Sequence, residues 1–191
     1  MEEDKRKENQ VHKSKKYDPR GIQTLFRTVS RNHYQLLKMI DNKASIVLTV
    51  NSIIISLLMG ALYIAPEARQ PIIRVSAAIL INCSMFSMIF ALVSMLPHKY
   101  FGSIYRNSDY EGSLYAANFA RRSLEEFEAE IQRITSTGQS IYKEMTRDLY
   151  FLGRSIHGKQ IVLFISVGIF LLGLIGAIGH SISHGLDIFS H

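Results

Sequence analysis

The chain has a single cysteine, Cys83. No disulfide can form within it, and a lone thiol inside an apolar run is expected as a small packing residue. Charge is missing from three long stretches. Residues 44–64, 75–96 and 160–179 hold 21, 22 and 20 residues without Asp, Glu, Lys or Arg. At about 1.5 Å per residue, each spans roughly 30 Å as a helix, the thickness of a bilayer's hydrocarbon core. A soluble domain of 191 residues has no use for three such runs. Enzyme motifs are missing too. There is no Walker loop, GxGxxG, HExxH or nucleophile elbow. His180 and His184 stand four apart, with only Asp187 or His191 to complete a metal set, so no metal site is expected.

What is present is basic: 22 Lys+Arg against 16 Asp+Glu. Residues 1–43 hold 11 of the cations and 97–159 hold 9; 65–74 hold Arg69 and Arg74, and 180–191 none. Cation-rich segments face the cytoplasm. The expected topology has the N-terminus and 97–159 inside and the C-terminus outside. The first run lies behind 43 residues and is too long for the apolar core of a signal peptide, so it is expected to stay as a span.

The expected fold is all-α. Residues 1–20 form a disordered basic tail and 21–43 a cytoplasmic helix, followed by a first span at 44–64 and a second at 75–96. Residues 97–159 make a cytoplasmic helical hairpin, 160–179 the third span and 180–191 an outer tail. Leu25, Val29, Leu36 and Ile40 share one face of the first cytoplasmic helix, and no Pro or Gly separates it from the span that follows. In the hairpin, Ala117, Ala120, Leu124, Phe127, Ile131 and Ile134 keep a heptad seam that breaks at 135–138. Ile141, Met145, Leu149, Leu152 and Ile156 form the apolar face of the second arm. A three-helix bundle on stalks of the spans follows. Glu125, Glu126, Glu128 and Glu130 read as a solvated face.

The first span carries a stripe of small and hydroxyl residues: Ser45, Thr49, Ser52, Ser56 and Gly60. The second has a matching one: Ser76, Cys83, Ser87, Ala91 and Ser94. Such stripes pack helices closely in lipid. The two are expected to face each other, either as packing or as a seam that hydrates when the helices part. Asn51 and Asn82 stand at different depths, so they should not pair within a subunit; pairing across an oligomer stays open. In the third span, Gly173 with Ala177 marks tight packing.

Cations and aromatics crowd the cytoplasmic part. Tyr115, Arg121, Arg122 and Arg147 are the candidate contacts for an anionic nucleotide, since Arg grips a phosphodiester bidentately and Tyr stacks on a base. Arg27, Arg31 and Tyr34 are the next candidates. The same residues also read as interfacial anchors and surface charge.

The segments "DNKAS" at 41–45 and "RDLYFLGRSIHGK" at 147–159 resemble the Pycsar membrane effectors, PycTM. That family opens its first span with Asp-x-Lys-Ala, matched by Asp41, Lys43 and Ala44. It precedes its last span with Asp-Leu…Lys, matched by Asp148, Leu149 and Lys159. The resemblance covers about residues 30–180. It implies a non-enzymatic antiphage effector in the bilayer. Such an effector answers cyclic CMP or cyclic UMP from a partner pyrimidine cyclase and impairs the inner membrane as a homo-oligomer. A small oligomeric channel, or a membrane assembly protein with a protein-binding bundle, remains the alternative from the residues alone.

Overall fold

The computed structural model describes residues 19–64, 71–96, 107, 110, 112, 120 and 122–189, with side chains through Ser183. Among them are four helices and no strand: α1 (Pro19–Ile64), α2 (Pro71–Met95), α3 (Leu124–Thr135) and α4 (Gly138–Phe189). Three of these, α1, α2 and α4, are long and apolar enough to cross a membrane.

Pro19 and Pro71 open α1 and α2, where a missing N–H costs nothing and the fixed φ suits a helix. No proline interrupts α1 after that, so one helix runs from the polar segment through the first span. The start of α3 is set by a capping box. Ser123 Oγ accepts from the Glu126 N–H, and the Glu126 carboxylate accepts from the Ser123 N–H. The described helix carrying the heptad seam therefore opens at Leu124. Ala120 lies in a turn, and Ala117 lies outside the described residues. The Ser-x-x-Glu spacing at 123–126 was the signal for that boundary. Thr137 accepts from the Ser140 N–H and opens α4, which continues unbroken through Gly158 into its apolar half.

Contacts fix the helix directions. His33 lies against Gly153 and Asp41 against Lys159, so α1 and α4 run parallel. Ser87 meets Ser166, while Ser76 meets His180 and Ser181, so α2 runs antiparallel to α4. The apolar core gathers Ile40 and Ala44 of α1 with Leu152, Ile156 and Leu163 of α4. At the polar end Phe26 stacks on Tyr142, ring centroids 6.0 Å apart. Phe26 takes the inward place expected of Leu25, which is exposed.

The stripes do not face each other. Ser76, Ser87, Ala91 and Ser94 are buried, and Ser87 and Ser76 bond to α4. On α1 the buried face is Ile40, Ala44 and Asn51. Ser45, Thr49, Ser52 and Ser56 point out of the subunit and are exposed. The reason is geometric. Helix association in lipid is driven by shape and hydrogen bonds, not by sorting polar from apolar, so Ala44 and Asn51 fit the α2–α4 groove and the hydroxyl stripe is turned outward. Asn51 is wholly buried. Its Nδ2 donates to Val47 O at 2.8 Å and to Ser87 Oγ at 3.3 Å. Ser166 Oγ donates to Ser87 O at 2.6 Å, so one residue from each membrane helix meets in a single polar knot. Asn82 instead points outward.

Candidate functional site: a charged cluster and a boundary ion pair

The helical hairpin brings charge inward. On α4, Glu144, Arg147 and Asp148 stand within one turn, and the end of α3 lies opposite. There Glu130 grips the Arg133 guanidinium with both oxygens, at 2.6 and 2.7 Å. The Glu130 side chain is only 12% exposed, so this member of the Glu run is not part of a solvated face. Glu144 is buried, at 5% exposure, and its Oε1 has no hydrogen-bond partner. Burial pushes its carboxyl above the ordinary value, with Glu130 and Asp148 adding to this and Arg133 and Arg147 opposing it.

One turn further on, Tyr110 reaches in from the 97–123 segment. Its Oη donates to Asp148 Oδ1 at 3.0 Å, and its ring stacks on Phe151, with centroids 5.3 Å apart and planes 6° apart. Tyr110 is itself buried. Cations, acceptors and stacked aromatics thus share two turns of one helix.

Of the residues expected to contact a nucleotide, Arg147 lies in this cluster and is half-buried. Arg122 is half-buried just ahead of the α3 cap. Tyr115 and Arg121 lie outside the described residues. Glu144, Arg133 and Phe151 were missed. Tyr110 meets Asp148 across 38 residues of chain, and no local spacing announces that.

The motif residues fall lower, at the membrane boundary. Ala44 is wholly buried in the core, where its small side chain lets α1 approach α4. Asp41 Oδ1 faces Lys159 Nζ at 3.5 Å. The Lys159 side chain is 11% exposed and the Asp41 side chain 43%, so the pair is half-sunk between the helices. Lys43 is exposed, and Leu149 is half-buried. Two segments more than a hundred residues apart in sequence thus meet through Asp41 and Lys159, with Asp148 bonded to Tyr110 above them.

The family model of the Pycsar effector protein domain, PycTM, matches residues 24–182. The chain belongs to the Pycsar effector family. No curated protein and no solved structure matches it. Membership together with three spanning-length apolar helices makes the chain a multi-pass membrane protein and fits a membrane effector of antiphage defence, in a family tied to cyclic-nucleotide signalling. Among the described residues no group of three or more His, Cys, Asp or Glu is placed to hold a metal.

A buried carboxylate without a partner costs stability. The Glu144 carboxyl has a raised value in the fold, so the fold holds its proton longer than the unfolded chain does. The stability this gives is complete below the ordinary value of 4.5 and is lost as pH rises through the raised one. Glu144→Gln is expected to stabilise the hairpin at pH 7, where the carboxyl would otherwise be pressed to ionise, and to flatten the pH dependence above 4.5. Hydrogen exchange of the α3 and early α4 amides checks it; equal pH dependence in both proteins would refute the assignment.

Proposed function

We propose that the protein is a non-catalytic effector of the bacterial inner membrane that answers a cyclic pyrimidine mononucleotide, cyclic CMP or cyclic UMP, made by a partner pyrimidine cyclase. The charged hairpin receives the nucleotide on the cytoplasmic side, with Arg147, Arg121 and Arg122 toward the phosphodiester and Tyr115 toward the base. The N-terminus lies inside and the C-terminus outside, a reading that the distribution of Lys and Arg supports. The effector works as a homo-oligomer, and its response is impairment of the bilayer.

One observation supports this reading above the rest: the Asp41–Lys159 pair. It ties α1 to α4 where both pass without a break from the polar end into the membrane. A shift of the hairpin therefore moves the spans. A ligand drives such a shift only by its differential affinity for the two states. Moving the balance from 1:99 to 99:1 takes roughly 5.5 kcal/mol. That exceeds a single charge-assisted contact of about 1.5–3 kcal/mol, which favours several subunits acting together.

The test is nucleotide binding to membrane vesicles of both orientations. Inside-out vesicles should bind and right-side-out vesicles should not. Replacing Arg121, Arg122 and Arg147 with Ala should weaken binding by at least about tenfold, the loss of one charge-assisted contact. Equal binding by the triple variant moves the site elsewhere, with Arg27, Arg31 and Tyr34 next in line. Binding by right-side-out vesicles alone overturns the topology.

A further inference from the structure

The outward face of this subunit carries polar groups at mid-membrane that the subunit itself leaves without partners. Asn82 is exposed on α2. One of its amide hydrogens goes back to Ala78 O at 2.8 Å; no other contact to the carboxamide is found among the described residues. Its oxygen and second N–H therefore face lipid in an isolated subunit, which is costly in hydrocarbon. On α1 the hydroxyls of Ser52 and Ser56 are exposed in the same way, and Gly60 above them has open space where a side chain would stand.

The depths of these groups are set by a hydrogen bond inside the subunit. Asn51 Nδ2 donates to Ser87 Oγ, so Asn51 and Ser87 lie at one level. Helices α1 and α2 run in opposite directions. Five residues outward along α1 from Asn51 is Ser56, and five residues outward along α2 from Ser87 is Asn82. Each step is roughly 7.5 Å. Asn82 and Ser56 are therefore level in the bilayer while lying on different helices of the subunit, and both look out.

Copies of a membrane protein related by an axis along the bilayer normal share one depth. The Asn82 of one copy then stands level with the Ser56 of the next. We propose that the subunits associate head to tail, the Asn82 carboxamide of one copy bonding to the Ser52–Ser56 hydroxyls of its neighbour, with Gly60 admitting the close approach. The occupant is a second copy of this chain rather than lipid, because lipid tails satisfy neither the carboxamide nor the hydroxyls, and this chain carries both at matched depth. This deepens the homo-oligomer of the proposed function and changes where water would enter. The hydroxyl-bearing lane lies between subunits, since the buried stripe of α2 is already bonded to α4 and Asn51.

Cross-linking in native membranes without nucleotide tests this separately from ligand sensing. In a Cys83→Ala background, which removes the one native cysteine, Asn82→Cys and Ser56→Cys are made together and apart. Both sites are exposed, so neither change disturbs the fold. The doubly substituted chain should convert under oxidant from monomer to a ladder of covalent multimers. Mixed singly substituted chains should give heterodimer, and neither alone should give homodimer. Pairing Asn82→Cys with Ser45→Cys, eleven residues deeper along α1, should leave monomer. Homodimers from the single variants would replace the head-to-tail contact by a two-fold one. Monomer throughout would leave lipid as the occupant. Either result overturns the proposal, and neither bears on whether the hairpin binds a nucleotide.

Discussion

Gly173→Ala is expected to drive α2 and α4 apart. A Cβ placed on Gly173 falls on the Cys83 Cβ, with Cys83 Sγ 2.9 Å and Cys83 Cα 3.7 Å away. Cβ and Cα belong to the facing helix itself, so no rotamer change relieves the overlap and the backbones must separate. Overpacking of this kind costs roughly 1–3 kcal/mol, and a bulkier residue costs more. The loss extends beyond the clash, because the same face holds Ser87 against Ser166 and Ser76 against His180, and hydrogen bonds of 3.0–3.1 Å do not survive a helix displaced by an ångström. Thermal unfolding in detergent measures it. Gly168→Ala is the control, since nothing lies within 4 Å of a Cβ there. Cys83→Gly added to Gly173→Ala should restore most of the lost stability by removing the opposing Cβ. A Gly173→Ala protein as stable as the unsubstituted chain would mean that the helices do not cross at this point.

That crossing point shows what the sequence could tell and what it could not. The three spans were legible because a run of about twenty uncharged residues has few other uses. Gly173 with Ala177 correctly marked a close-packed face, and Cys83 is the small residue opposite it. Which face meets which was not legible. Both stripes, Ser45–Gly60 and Ser76–Ser94, obey one helical period, and the period holds no record of the partner. The fold gave the second stripe to α4 and turned the first outward, since Ala44 and Asn51 on the opposite side of α1 already fill the groove. At the polar end the heptad pattern continued across a boundary that the Ser123–Glu126 box had closed. No spacing in the sequence sets Glu144 apart from the other helical charges. Its burial depends on the hairpin closing over it, which is a property of packing and not of spacing. The Tyr110–Asp148 bond is likewise created by the fold.

Lys159→Ala is expected to abolish the cellular effect while leaving nucleotide binding within a few-fold of the unsubstituted protein. The Asp41–Lys159 pair is neither a surface bridge, worth little, nor a fully buried one, costly to break. Removing the ammonium leaves Asp41 Oδ1 shielded from water and without any hydrogen-bond partner. A loss of roughly 1–3 kcal/mol follows. It falls on the contact through which the hairpin holds α1 against α4, well below the Glu144–Arg147 cluster. Depolarisation of cells supplied with cyclic nucleotide reads the coupling, and binding to inside-out vesicles reads the site. Loss of both would place Lys159 in the binding site or in folding; loss of neither would make the pair incidental. The exchange Asp41→Lys with Lys159→Asp separates a specific pair from a general need for charge at this depth. The swapped pair can re-form between the same two backbone positions, so depolarisation should return at least in part. A swap as inactive as Lys159→Ala would mean that the lysine acts on something other than Asp41, such as a lipid phosphate at the boundary, and α1 and α4 would then have to be coupled through their other contacts, the Ile40–Ile156 core and the Phe26–Tyr142 stack.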